Sequence, residues 1–479
     1  MASSPHHDAA LPRLPLSARI YKFLNKKDNY AEAPPNGGIT AWLQVVACFF
    51  IFMNNFGLAS AFGVYQAYYQ KVMFPEHNAS TISWIGTLQA SLTLIVGILS
   101  GPLFDRGYFF STVVVASTGL VFSFMMQSLC TQYWQVILCQ GLLGGICTGM
   151  LYIPSISQLP LYFTTKRGLA IGIVLSGASV GGIVYPLMFR KLLPTIGFSG
   201  ATRAIGYLAL SLLAISVILI KPLRLPNRPK KLRDPTMFKD PHYITFFIAA
   251  FLLFCGMMIP YFDCATYWLA IFDQNIDSAF YTLLIINGGN FIGRIGITAL
   301  SDYGVGPEDL MIICTIGLAA LGFGWIGTTT RASYHAFLVL WGFFSGGAAS
   351  LPACVMPYMT PRPEYFATRL GVVYAAAGVG ILIGAPIANA FEKRSSGFLG
   401  AQLWTGVTSF VGLVAVVHAA HGARKSRKAI QRKQREGKSA AREEVNSGTQ
   451  SSESPINDSL NIASPYPELL KMSSPVSQV

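Results

Sequence analysis

Apolar residues occur along this chain in long blocks separated by short polar connections, without the alternation of a half-buried strand or the single stripe of a surface helix. The blocks fall near 41–65, 82–104, 109–129, 133–156, 169–189 and 204–220, then near 243–266, 279–300, 310–328, 335–358, 371–391 and 401–420. Helices of ~20 residues cross the hydrocarbon of a bilayer. The pattern therefore predicts an all-α membrane protein with twelve transmembrane helices.

Composition supports that reading. Hydrophobic residues make up 52% of the 479 residues and charged residues 12%, too few to cover the surface of a soluble protein this size. The net charge of +14 is gathered in two runs. One holds Lys221, Arg224, Arg228, Lys230, Lys231, Arg233 and Lys239; the other holds Arg424, Lys425, Arg427, Lys428, Arg432, Lys433, Arg435 and Lys438. Basic residues beside apolar spans mark the cytoplasmic side, so the expected partner is the lipid bilayer and not a nucleic acid. An even number of spans puts both runs and both termini on that side, with the Arg190–Lys191 pair as a minor exception.

The expected organisation is an N-terminal tail over 1–40, a first six-helix bundle over 41–220, a linker over 221–242, a second bundle over 243–420 and a tail over 421–479. The tail is basic first and, after Gly437, rich in Ser, Pro, Asn and Gln, a composition that predicts disorder there. No cleavable leader is visible. The eight cysteines form no CxxC pair and read as small packing residues, so no disulfide framework or metal site is expected. Gly437-Lys438-Ser439 misses a P-loop because Arg432 stands where the first glycine is required. No cofactor is expected. Asn78-Ala79-Ser80 is a sequon in the first external loop and makes Asn78 a glycosylation candidate, while Asn457 falls in the cytoplasmic tail.

A repeat divides the twelve spans into two pseudo-symmetric halves. Asp105-Arg106-Gly107 after the second span matches Asp302-Tyr303-Gly304 after the eighth. Tyr162 to Arg167 before the fifth matches Tyr365 to Arg369 before the eleventh. Gly144, Gly145 and Pro154 in the fourth span match Gly346, Gly347 and Pro352 in the tenth, and Pro186 matches Pro386. Parallel six-helix repeats with a site at their interface are a transporter architecture. Asp105, Arg106, Asp302, Arg167 and Arg369 are gating candidates, because the two carboxylates could accept hydrogen bonds from a helix start in the neighbouring half. The alternative is a charge that merely ends a span.

Three stretches resemble the major facilitator superfamily and, within it, the fungal branch of the monocarboxylate-transporter-like (monocarboxylate porter) family. They are Gly37 to Trp42 with Phe62 to Gln66; Tyr162 to Gly172 with Ser176 to Gly181; and Asn287 to Arg294 ending at Asp302-Tyr303-Gly304. The likeness covers about residues 35–420. It implies the major facilitator fold and proton-linked carboxylate transport through a lysine in the first span and an aspartate four residues before an arginine in the eighth. Of these only the arginine is present, as Arg294; Asn290 holds the aspartate position and Ser60 lies near the lysine position. A proton–lactate mechanism is therefore disfavoured.

Arg294 is the foremost substrate candidate. A charge in the apolar region costs at least ~2.5 kcal/mol and persists where it pairs or lines a watery cavity. Its guanidinium suits a planar anion, or it snorkels to the near face. Asn287, Asn290 and Arg294 share a helical face. Asn54 and Asn55 are candidates for the opposing wall or for interhelical hydrogen bonds. Gln89, Gln140, Tyr152, Tyr185 and Tyr374 are lesser cavity candidates. The expected function is a secondary transporter of an organic anion or small metabolite, with export of a fungal secondary metabolite and proton-coupled import of a monocarboxylate or vitamin-like substrate as the competing directions. The expected setting is the plasma membrane, with a monomeric functional unit. An enzyme is not expected, since the seven histidines lie at termini, loops and span ends, and a non-transporting receptor-like member is the remote alternative.

Overall fold

The computed structural model describes residues 29–30, 35–224, 234, 236–272, 276–394 and 397–448. Among these, eleven helices are long and apolar enough to cross a membrane. They are α1 (Gly38–Met73), α2 (Thr81–Asp105), α3 (Phe109–Gln127), α4 (Tyr133–Tyr162), a run over Arg167–Leu219, α7 (Pro241–Ile271), α8 (Ser278–Tyr303), α9 (Pro307–Gly327), α10 (Arg331–Met359), α11 (Pro363–Ala388) and α12 (Leu399–Lys433). The Arg167–Leu219 run has 53 residues and would reach about 80 Å if straight, over twice the hydrocarbon thickness. It breaks at Gly197, whose φ of 68° and ψ of 180° are not helical. The limbs 167–196 and 198–219 are α5 and α6, so the chain crosses twelve times. α1 begins and α12 leaves on one face, the terminal face.

Local chemistry sets the helix ends. Asp240 accepts a hydrogen bond from the His242 N–H at 2.9 Å, with Pro241 in the first turn, and starts α7. Gly107 (φ 84°) and Gly304 (φ 96°) turn the chain left-handed after α2 and α8. That geometry explains the glycine of both Asp-x-Gly motifs.

Close helix contacts depend on residues without side chains. Within the first half, Gly57 of α1 lies against Gly181 of α5, and Gly145 and Gly149 of α4 lie against α2. Within the second, Gly293 of α8 meets the Phe343 backbone of α10, and Gly384 of α11 meets Cys255 of α7. Between halves the contacts are α2 with α11, at Gly97 and Gly371, and α5 with α8, at Gly172 and Arg294. The repeat thus reappears as a pair of equivalent interfaces.

One expectation needs correction. The tail does not become irregular at Gly437, because the α12 helix continues to Gly448. The hydropathy falls there, but Ala, Arg, Lys, Gln and Glu are strong helix formers. Residues 449–479 lie outside the described residues, as do 225–233 of the linker and 1–28 of the N-terminal tail. That tail also contributes structure: β1 (Asn29–Tyr30) pairs in parallel with β2 (Leu223–Arg224), joining it to the linker.

Candidate substrate site and latches between the halves

The polar stripe of α8 lies in the middle of the molecule and is bonded on several sides. Arg294 donates from Nε to Asn290 Oδ1 at 2.6 Å. The same oxygen accepts from Ser179 Oγ of α5 at 2.7 Å, which crosses between the halves. Asn290 Nδ2 donates to the Tyr261 hydroxyl at 2.7 Å, and that hydroxyl shares a 2.8 Å hydrogen bond with Ser345 of α10. Asn290 is therefore a fixed hub, and its amide holds the guanidinium in one orientation.

Arg294 is only 8% exposed. Its terminal nitrogens make no hydrogen bond to the described residues, and none of the described carboxylates forms an ion pair with it. The phenols of Tyr152, Tyr261 and Tyr374 lie around it. The result is a guanidinium fork anchored at its base and open at its tip, suited to a planar anion.

The other stripe and wall candidates are placed differently. Asn287 donates to the Leu283 carbonyl at 2.9 Å, and its Oδ1 lies where a Cβ on Gly182 of α5 would collide. It therefore fills the seam between the halves. Asn54 and Asn55 do not form an opposing wall. Asn54 donates to the Phe50 carbonyl and accepts from Tyr185 at 2.8 Å, while Asn55 donates to the Thr148 carbonyl at 2.9 Å. Both are fully buried inside the first half, and Asn55 Oδ1 has no hydrogen-bond partner among the described residues. Gln140 likewise joins Tyr69 and Gln127 within that half.

On the terminal face the two aspartates cap helices of the opposite half. Asp302 accepts from the Gly168 and Leu169 N–H groups of α5, each at 2.8 Å. Asp105 accepts from the Ala367 and Thr368 N–H groups of α11 at 3.2 and 2.8 Å, and from the Thr368 hydroxyl at 2.5 Å. The first N–H groups of a helix lack internal partners, and Lys166 at the head of α5 offers no side-chain cap. The caps come from the other half, so separating the halves on this face exposes both ends.

The arginines beside the latches diverge. Arg369 pairs with Asp234 of the linker at 2.6 Å, donates to the Met359 carbonyl at 2.6 Å and to Thr236 at 3.1 Å, and lies over the Tyr243 ring. Burial opposes the Asp234 charge, but hydrogen bonds from Thr236 and Arg369 outweigh it and hold the carboxyl below its usual value. Arg167 is buried beside Asp302, yet its Nη1 has no hydrogen-bond partner among the described residues. Arg106 follows α2 half-buried and takes no part in the cross-half hydrogen bonds. Asn78 is exposed in the loop before α2, on the face opposite the latches.

Sequence reasoning did not single out Tyr261, Ser179, Ser345 or Asp234. A single hydroxyl in an apolar span carries no periodic signal, and Asp234 stood within a basic run. The one available hint was Pro260, near which α7 changes course at Met258 and turns Tyr261 toward α8.

Two six-helix halves, two equivalent cross-half seams and a buried polar centre define a secondary transporter. A Major Facilitator Superfamily profile matches residues 44–361, and the chain belongs to that superfamily. It is 37% identical over 378 residues to the MFS-type transporter dbaD of Emericella nidulans, covering 78% of this chain and 85% of the relative. It is 34% identical over 387 residues to the aspyridones efflux protein apdF of the same organism, covering 80% and 79%. The fold also matches the crystal structure of the E. coli fucose:proton symporter with a TM-score of 0.61 at 12% identity, over 79% of this chain and 98% of that one.

Proposed function

We propose that this transporter exports an organic anion, of the kind made as a fungal secondary metabolite, by alternating access around Arg294. The observation that carries the reading is the Arg294 fork: buried, held at Nε by Asn290, and without a protein partner at its tip among the described residues. The relative that is an efflux protein for aspyridones supports the direction. The monocarboxylate-porter-like branch remains part of the reading through the α8 motif. Asn290 weighs against proton coupling there, since an amide in four hydrogen bonds holds no exchangeable charge.

In this reading Asp105 and Asp302 are the latches of the state closed toward the cytoplasm. The basic runs favour a cytoplasmic position for both termini, which leaves Asn78 outside as the glycosylation candidate; a plasma-membrane setting and a single chain as the working unit complete the proposal. No catalytic role is assigned. Efflux of candidate acids from cells with and without the protein is the test, using Arg294→Lys, which keeps the charge but loses the fork, and Arg294→Gln. Loss with both variants is expected, deeper for glutamine. Efflux surviving both would end the anchoring role, and strong proton-driven uptake of a short monocarboxylate would reverse the direction.

A further inference from the structure

Resting on Arg294 as the anion anchor, we propose that the substrate is a planar aromatic monoanion and that Tyr152 and Tyr374 select it by clasping its ring. The phenols around the guanidinium come from three helices and both halves: Tyr152 from α4, Tyr261 from α7 and Tyr374 from α11. Tyr152 and Tyr374 meet edge to face, with centroids 5.1 Å apart and planes at 78°. That contact crosses between the halves, about ten residues in from the terminal face along α11 and at the depth of Arg294 on α8. Phe52 and Phe56 of α1 back Tyr152 at 5.0 and 5.7 Å. Tyr374 is fixed from behind by its hydroxyl, which donates to the Ala349 carbonyl at 2.8 Å.

An edge-to-face pair spanning two moving bodies must part when those bodies separate on that face. Each ring then loses an aromatic partner while staying in a largely apolar wall. A flat aromatic substrate replaces that partner for both rings, whereas a saturated one of equal size does not. An aromatic pair contributes beyond its buried area by about two- to tenfold in affinity. The single guanidinium balances one negative charge and orients the acidic group toward α8. Selection and opening therefore reside in the same two side chains.

The test uses the purified full chain in detergent, with 2-naphthoate and its saturated counterpart decahydro-2-naphthoate, which carry the same charge on the same skeleton. Wild type is expected to bind the naphthoate about tenfold more tightly. Tyr152→Leu and Tyr374→Leu should shrink that ratio to about threefold or less, and Tyr374→Phe should restore it because the ring is retained. Where a leucine variant fails to purify as a single species, Tyr152→Met or Tyr374→Met, which also lacks the ring, takes its place. Arg294→Gln should weaken both ligands alike. Equal binding of the two by wild type, or an unchanged ratio in both leucine variants, overturns aromatic selection and leaves anion transport standing. Binding of both ligands unaffected by Arg294→Gln, or of neither by wild type, overturns the anchor and the selection with it.

Discussion

The two latches on the terminal face share a geometry and differ in what stands behind them. In each, a carboxylate at the end of one helix caps the first N–H groups of a helix in the opposite half. Behind the α11 start, Arg369 is tied to the linker through Asp234 and Thr236. Behind the α5 start, none of the described linker residues does this. Asn36 instead accepts from Thr164 and Thr165 in the loop before it, and Arg167 keeps a terminal nitrogen without a hydrogen bond to the described residues. Duplication supplied the same capping device twice. Among the described residues the linker braces one copy, and the expected consequence is a stiffer α2–α11 seam and an α5–α8 seam that opens more readily.

The largest expected effect breaks the brace itself. Arg369→Ala leaves the Asp234 carboxylate buried and unpaired, a loss of about 3–5 kcal/mol. Arg167→Ala should cost far less in the same thermal unfolding measurement, and equal losses would remove the asymmetry. Next, Asp105→Ala and Asp302→Ala each remove a cap, at about 1–3 kcal/mol for each buried N–H group left unpaired. Labelling of cysteines introduced on the terminal face should rise in both variants, more for Asp105, which accepts three hydrogen bonds against two.

A third probe acts on the seams. A Cβ on Gly371 would sit 2.2 Å from the Gly97 carbonyl oxygen, and one on Gly172 would sit 2.5 Å from that of Arg294. Backbone cannot step aside cheaply, so Gly371→Ala and Gly172→Ala should each disfavour the closed state by about 1–3 kcal/mol. The same labelling assay reads this, and closure undisturbed by either alanine would contradict the close approach.

The fourth is acid sensitivity. The Asp234 carboxyl is depressed in the fold, so its contribution is fully present above the unfolded value of about 3.9. It fades as the pH falls through the lower folded value. This group should leave the melting temperature flat from about pH 5 to 8, and Asp234→Asn should lose less than wild type on going to about pH 3. The smallest effect is expected from Arg424→Ala. Arg424 pairs with Asp309, but its side chain is 42% exposed, and such pairs contribute about 0–1 kcal/mol.

Much of this could be read before any coordinates. The apolar blocks gave the helices, and the matching Asp-x-Gly and Tyr-Phe motifs gave the halves and the two carboxylates that cap helices across them. The 3.6 period placed Asn287, Asn290 and Arg294 on one face. Residues with two good uses were harder. An asparagine in a span can face a cavity or bond a neighbouring helix, and only packing assigned Asn54 and Asn55 to the second use. Asp234 was invisible because its meaning lies in Arg369, 135 positions away along the chain. The helix beyond residue 420 was missed because hydropathy records where a helix leaves the membrane and not where it ends.

That last helix has a mechanical consequence. Arg427 engages Glu308 and Arg424 engages Asp309, so the base of the extension is clamped to α9 of its own half. From Arg424 to Gly448 it continues as one helix, reaching about 37 Å at the helical rise of 1.5 Å per residue. A rod fixed to one rocking body magnifies its rotation: about 10° of tilt in the second half moves the far end by about 6 Å over that length. The carrier thus has a built-in pointer, and a fluorophore pair between its tip and the first half would display each turn of the transport cycle as a change in distance.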